Sequence, residues 1–225
     1  MNGRESADCP GSVEEESNTD LRLAAQLREG GGVQQSQIEA AVRSILTAVG
    51  DDPSREGVAR TPERVAKMYE ELLSGYRTDP HELLNEAVFE VQYDEMVIVR
   101  DIEYYSLCEH HMLPFLGRAH VAYLPRDKVV GLSKIPRIVD LFAQRLQVQE
   151  RMTTQIAQFL QQAIEPEGVA VVCEGIHMCS IIRGVKKANA KMITSSLLGE
   201  FRTNPSTRAE FMNHISRGSD SMMSL

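Results

Sequence analysis

Between Ser106 and Phe115 the chain reads SLCEHHMLPF. A thiol, a carboxylate and two imidazoles occupy the four consecutive positions Cys108 to His111, and the sequence then turns apolar. Cys108 and His111 form a C-x-x-H pair, a spacing at which one turn aims a thiolate and an imidazole at the same cation. Soft sulfur combined with imidazole suits zinc best. Two ligands do not make a site, so a third must come from elsewhere. The other His–Cys cluster is HMC, His177 to Cys179, whose first and last members share a face if the backbone there is extended. Cys108, His111 and Cys179 would leave a fourth position open, as catalytic zinc requires, with His110 and His177 beside it for proton transfer. The rival is a closed structural zinc that takes His110 or His177 as fourth ligand. Cys173, set between Val172 and Glu174 in an apolar run, reads as a small buried hydrophobe. His81, His120 and His214 have no ligand-rich neighbours and read as surface or internally satisfied residues.

A second cluster carries positive charge. GLSKIPRIVD begins at Gly131, and Ser133 is placed to cap a helix whose first turn holds Lys134 and Arg137. Cations at a helix N-terminus oppose the dipole, an arrangement that makes sense around a bound anion such as phosphate. Arg183, in IIRGVKK, and Arg64 and Lys67, which flank an apolar stripe, are further candidates. QVQER, Gln147 to Arg151, opens another helix. Glu150 there serves either as a first-turn acid or as acceptor for two N–H groups of a planar ligand edge, which guanine offers and adenine does not. The residues alone leave that choice open.

These groups need elements to hold them. SQIE at Ser36 reads as a capping box before a helix with Ile38, Ala41, Val42, Ile45, Leu46 and Val49 at helical spacing, closed by Gly50. Thr61 and Pro62 open a second helix, with Val65, Met68, Tyr69 and Leu72 as its stripe and Gly75 as its stop. MVIVRDIEYY (from Met96) and GRAHVAYLP (from Gly117) read as strands. Helices are expected from Ser133 and over roughly 150–164, GVAVVCEGIH and MCSIIRGV as two short strands, and a last helix near 207–215. Strands and helices in runs, without strict alternation, predict an α+β fold with a largely antiparallel sheet.

The chain has 225 residues, 42% hydrophobic and 25% charged, the profile of a globular protein. No apolar run approaches the roughly 20 residues of a membrane span, and the first residues lack an apolar signal core, so a cytoplasmic location is expected. Four cysteines without such a signal do not read as a disulfide framework. The net charge is -8, which argues against a general nucleic-acid binder. Residues 1–33 hold seven acids against three bases; polar and glycine-rich, they read as a disordered acidic tail, solvated or docking a regulator.

The segments TPERVAKMY, VRDIEYYSLCEHHMLPFLGRAHVAYLP, GLSKIPRIVDLFAQRLQVQER, HMCSIIRGV and TSSLLGEF, in this order across about residues 36–217, resemble the GTP cyclohydrolase I family. The resemblance implies the tunnelling fold (T-fold): a four-stranded antiparallel sheet with two helices between the strand pairs, preceded by N-terminal helices. It places those helices at about 36–75 and the core at about 95–217, within a catalytic domain of residues 34–225. It implies a toroidal homodecamer of two pentamers with active sites at subunit interfaces. It assigns Zn2+ to Cys108, His111 and Cys179, proton transfer to His110 and His177 with Ser133, and the guanine edge to Gln149 and Glu150. It gives the triphosphate to Ser133, Lys134, Arg137 and Arg183, and to Arg64 and Lys67 from a neighbouring subunit. The implied reaction converts GTP and water to 7,8-dihydroneopterin triphosphate and formate, through a zinc-activated water at C8 of guanine. It opens pterin synthesis toward tetrahydrofolate or tetrahydrobiopterin. In some relatives an N-terminal extension docks a feedback regulatory protein. Alternatives are a non-catalytic GTP-binding regulator with a structural zinc, another T-fold pterin or deazapurine enzyme such as the nitrile reductase of queuosine synthesis, and a purely oligomerising scaffold.

Overall fold

The computed structural model describes residues 33–84 and 87–216. The acidic leader read as a disordered tail lies, but for Val33, outside the described residues. Two helices come first, α1 (Gln35–Ala48) and α2 (Thr61–Leu72). The expected capping box at Ser36 does not form. The amides of Gln37 and Ile38 both donate to the Gln34 carbonyl, so the helix begins ahead of Ser36 and its serine sits inside the first turn. Gly50 closes α1 in the left-handed region, φ 86°. In α2 the cap falls on Arg60, one residue before Thr61, and Pro62 occupies the first turn as expected. α2 ends at Leu72, before Gly75. That glycine lies in a 3-10 turn, Ser74–Tyr76, and serves close approach: its amide donates to Gln144 O at 3.0 Å, and a Cβ would run into the Leu141 carbonyl. The apolar stripe of α1 is only partly covered in the single chain: it packs against α2, which leaves Ile38, Val42 and Leu46 half-buried. None of its residues is buried, and Ile45 and Val49 are 60% and 73% exposed.

A short helix, α3 (Pro80–Leu84), leads into strand β1 (Val88–Glu90). The main sheet comes next: β2 (Val97–Cys108), β3 (Pro114–Leu124), then, after the short β4 (Lys128–Val130), β5 (Leu146–Gln147), β6 (Gly168–His177) and β7 (Met192–Gly199). β4 pairs with β1 in a separate ribbon, and the main sheet has the order β5-β2-β3-β6-β7. The four long strands are antiparallel neighbours, and the two-residue β5 adds a parallel edge to β2. Between the strand pairs lie α4 (Lys134–Ala143) and α5 (Gln149–Ile164). This is the α+β arrangement expected, four long antiparallel strands with two helices between the pairs, enlarged by β5.

The helices dock because their apolar residues recur on one face. Ile135, Ile138, Val139 and Phe142 of α4 and Met152, Ile156, Phe159 and Leu160 of α5 pack with Tyr104, Phe115, Ala119, Val121 and Tyr123 of the sheet. The opposite sheet face carries a smaller cluster in which Ala122, Ala170 and Val172 meet Phe201 and Phe211. Those two phenylalanines come from α7 (Glu200–Thr203) and α8 (Pro205–Ser216).

One expected strand is a helix. MCSIIRGV opens as the single turn α6 (Met178–Ile181). The reason is geometric: β6 has paired with β3 as far as Phe115↔His177, and only Pro114, which has no N–H to donate, remains at the start of β3. The chain turns, passes Gly184 at φ 64°, and the fourth long strand forms later as β7. Among the described residues no helix is long and apolar enough to cross a membrane.

Candidate metal centre and its surroundings

Three segments converge at one end of the sheet. The first is the hairpin turn between β2 and β3. The Cys108 carbonyl accepts from the amides of both His111 (3.3 Å) and Met112 (2.7 Å), and the Cys108 amide donates to Leu113 O at 2.9 Å. Met112 takes up a left-handed conformation, φ 54°, that lets so tight a turn close. This turn gives the C-x-x-H spacing its meaning, since it folds His111 back over Cys108. The second segment is the end of β6 and the start of α6, carried alongside by the Phe115↔His177 pairing. The third is β5 with the start of α5: Cys108 pairs with Gln147, and the Glu109 amide donates to Gln147 O.

The sulfurs of Cys108 and Cys179 and a ring nitrogen of His111 all lie within 4.8 Å of one another. His177 and Cys179 were expected to share the face of an extended strand; instead His177 ends β6 and Cys179 sits in the helical turn after it. Burial first, and then the neighbouring Cys108 thiol, push the Cys179 thiol above its ordinary value, with Arg183 acting the other way. Two sulfurs this close repel as thiolates, and a divalent cation is what relieves that repulsion. Two thiolates and an imidazole are a donor set that fits zinc. Cys173 is elsewhere, in mid-β6. It is wholly buried, and burial raises its thiol to about 12.

His177 is half-buried and stacks on Phe115, centroids 4.6 Å and planes 3° apart. Burial lowers its basicity and Glu150 raises it. Its Nε2 lies 3.0 Å from Gln149 Oε1. Gln149 is fully buried, and its amide nitrogen donates to Cys173 O, Met192 O and Thr194 Oγ1 at 3.0–3.1 Å. Glu150, one residue on, is exposed. His110 is also exposed, with Nδ1 3.8 Å from Cys108 Sγ. Arg151, which no sequence signal singles out, donates to the carboxylate of Glu109 and to Gln147 Oε1, tying the metal hairpin to α5.

Of the basic cluster, Arg183 lies beside a metal ligand, while the other members sit on α2 and at the start of α4. Ser133 is the cap residue of α4 by position, without a side-chain cap bond. Lys134 donates to Leu83 O at 2.7 Å, and Arg137 is exposed. The C-terminal end of α4 runs into β5 beside Cys108, so its ten residues, about 15 Å long, separate Lys134 from the metal end. Arg64 and Lys67 are exposed on α2, where Lys67 pairs with Glu63 at 2.8 Å. Arg183 comes just after α6, close enough to Cys179 to act on its thiol.

A three-donor thiolate–imidazole group at the end of an antiparallel α+β sheet, with a stacked histidine beside it, defines a candidate metal-dependent enzyme. Comparison with known proteins narrows the class: the family profile of GTP cyclohydrolase I matches residues 38–216. The chain is 57% identical over 182 residues to "GTP cyclohydrolase 1" of Leptospira biflexa, covering 81% of this chain and 100% of that one. It is 59% identical over 175 residues to the protein of the same name from Chlorobaculum tepidum, covering 78% of each. The Campylobacter jejuni protein of that name is 56% identical over 80% of this chain and 95% of its own. Among solved structures, archaeosine synthase QueF-Like in the apo form aligns with TM-score 0.39 and 16% identity over 46% of this chain and 93% of that one. The chain belongs to the GTP cyclohydrolase I family.

Proposed function

We propose that the chain converts GTP and water to 7,8-dihydroneopterin triphosphate and formate, the entry to pterin synthesis, with zinc held by Cys108, His111 and Cys179. The observation that carries the reading is the three-donor group within 4.8 Å at the sheet end that also bears His177, in a chain of this family. When bound, zinc supplies Lewis-acid activation of a water, lowering its pKa to about 7 for attack at C8 of guanine. The chain's own residues do the rest. His177 exchanges a proton with N7 of the purine, and His110 and Ser133 serve the later proton transfers of ribose opening and ring closure. Of the pair expected at the guanine edge, Glu150 has the exposed carboxylate suited to N1 and N2; the side chain of Gln149 is turned inward.

Ser133, Lys134, Arg137 and Arg183 hold the triphosphate, joined by Arg64 and Lys67. The triphosphate is a handle, not a reactant, and its binding energy positions C8. Because α4 keeps Lys134 and Arg137 away from the metal end of their own chain, a complete site needs a second copy. Two features support self-association into the homodecamer: β7 is an unpaired sheet edge among the described residues, and Ile45 and Val49 at the end of α1 are exposed. The acidic segment ahead of the helices is a solvated leader or the docking place of a feedback regulatory protein, and the protein works in the cytoplasm.

The test is to incubate the zinc-loaded protein with GTP, measure released formate, and oxidise the product to fluorescent neopterin. Formate and neopterin in equal amounts are expected. Intact GTP with zinc bound would overturn the reading in favour of a nucleotide binder with a structural metal.

A further inference from the structure

Gln149 occupies a place that its neighbours define atom by atom. The side-chain nitrogen faces two backbone carbonyls, Cys173 O at 3.0 Å and Met192 O at 3.1 Å. Carbonyl oxygens only accept, so the NH2 end of the amide must point this way and Oε1 the other. The third neighbour agrees. The Thr153 hydroxyl donates to Gln149 O at 2.7 Å, so in the 2.7 Å contact between the two threonines it is Thr194 that donates. Thr194 Oγ1 is then the acceptor for Gln149 Nε2 at 3.1 Å. The orientation of the amide is therefore set by groups whose roles are fixed.

Oε1 faces the Tyr104 hydroxyl at 3.3 Å and His177 Nε2 at 3.0 Å. An amide oxygen only accepts, so His177 Nε2 must carry a hydrogen. Gly175 belongs to the same arrangement, because a Cβ there would collide with Gln149 Oε1 and the Tyr104 hydroxyl. The ring is held in its plane by the Phe115 stack.

We infer that Gln149 is a positioning residue that locks the neutral His177 ring in the Nε2–H tautomer, so that the ring's lone pair lies on Nδ1 and Nε2–H stays bonded to Gln149. The wrong tautomer would turn a lone pair toward Oε1 and lose that hydrogen bond. Gln149 thus acts on the reaction through His177 without touching guanine. The kinetic part of this inference rests on the proposal that His177 exchanges protons with GTP; the tautomer does not.

The test is solid-state nitrogen NMR on the full-length, zinc-loaded protein labelled at histidine, with His177→Gln used to identify the signals of His177. The expected neutral form has a protonated Nε2 and a bare Nδ1; a protonated Nδ1 with bare Nε2 would overturn the inference, and that reading comes from the unmutated protein's own spectrum. Gln149→Met should then give mixed tautomers and a kcat at least tenfold lower, with KM for GTP within about twofold. Tyr104→Phe, which leaves the three acceptors of Gln149 Nε2 in place, should keep the wild-type signature. A Gln149→Met variant with raised KM, unchanged kcat and an unchanged His177 spectrum would assign Gln149 to guanine binding and sink the proposal. If the Nε2–H tautomer is found in a protein that leaves GTP intact, the tautomer stands and the proposed reaction falls alone.

Discussion

Phe115 and His177 lie face to face, ring planes 3° apart, because the β3–β6 register pairs them directly. Phe115 is fully buried, so one side of the histidine ring rests on the core while its edge reaches toward the metal end. Aromatic pairs of this kind contribute about 0.5–1.5 kcal/mol beyond their area. Phe115→Leu keeps most of the apolar volume and removes the ring. Its expected effect is a kcat roughly tenfold lower with KM little changed, read by steady-state neopterin formation, with circular dichroism to show that the sheet is retained. An unchanged kcat would mean that the stack does not orient His177.

The metal assignment separates the cysteines cleanly. His111→Ala and Cys179→Ser should each lower bound zinc from about one per chain to near zero, since a site with three protein ligands has none to spare. Elemental analysis of the purified protein reads this directly. Cys173→Ala should keep its zinc, because that thiol is buried in mid-strand with its proton held to about 12. Loss of zinc from Cys173→Ala, or its retention in Cys179→Ser, would redraw the ligand set. Removing the metal with a chelator should abolish formate release, and added zinc should restore it.

Much of this site is legible in the sequence because its signals are local. Cys108 and His111 share one turn, and the α5 stripe from Met152 to Leu160 is set by helical period alone. Strand β6 announces itself by a run of valines. The segment after His177 is ambiguous, because a short apolar run such as MCSII fits a strand or a helical turn equally well. The end of β3 decides between them by leaving only Pro114 to pair with. The inward turn of Gln149 is equally hidden. Its side chain is fixed by Cys173, Met192 and Thr194, neighbours that only the β6–β7 pairing supplies. The placing of Lys134 is hidden too: the sequence shows a cation in the first turn of α4, not that its ammonium donates to Leu83 O.

Gly117 is a packing requirement of the sheet. A Cβ at this position would fall on the backbone carbonyl of Glu174 in the neighbouring strand, and that atom cannot move without opening the β3–β6 ladder. Gly117→Ala should therefore cost about 3 kcal/mol or more, a Tm lower by roughly 6–12 °C for a chain of this size. Differential scanning fluorimetry measures it. A shift under about 2 °C would show that the strands separate more easily than the packing implies.

His120 gives the stability a pH dependence of known sign. It is buried, and its Nδ1 accepts from the Asp101 amide at 3.2 Å. Burial lowers its pKa below the ordinary 6.5; Asp101 and Glu174 work against that shift, and Arg118 and Arg100 work with it. A base whose folded pKa is depressed binds protons better when unfolded. Its contribution is therefore complete above 6.5 and is lost as pH falls from there through the depressed value. His120→Asn keeps an acceptor for Asp101 and removes the titration, so unfolding free energies measured in urea between about pH 7 and pH 5 should fall less steeply in the variant. Parallel curves would show that His120 is protonated as easily in the folded chain as in the unfolded one.

The exposed end of the α1 stripe bears on assembly. Ile45 and Val49 are 60% and 73% exposed on a helix that buries none of its own residues, so charging them should not disturb the single chain. In an assembled particle that covers the stripe, each buried, unpaired carboxylate would cost several kcal/mol. Ile45→Glu with Val49→Glu should thus leave the circular dichroism spectrum intact and lower the molar mass found by light scattering. On the proposed shared site, formate release should also fall by about 100-fold or more, because the bases of α2 and α4 would no longer reach the metal end of a neighbouring copy. A double variant of unchanged mass would leave α1 outside the contacts between copies, and unchanged formate release from a smaller particle would mean that one chain completes its own triphosphate site.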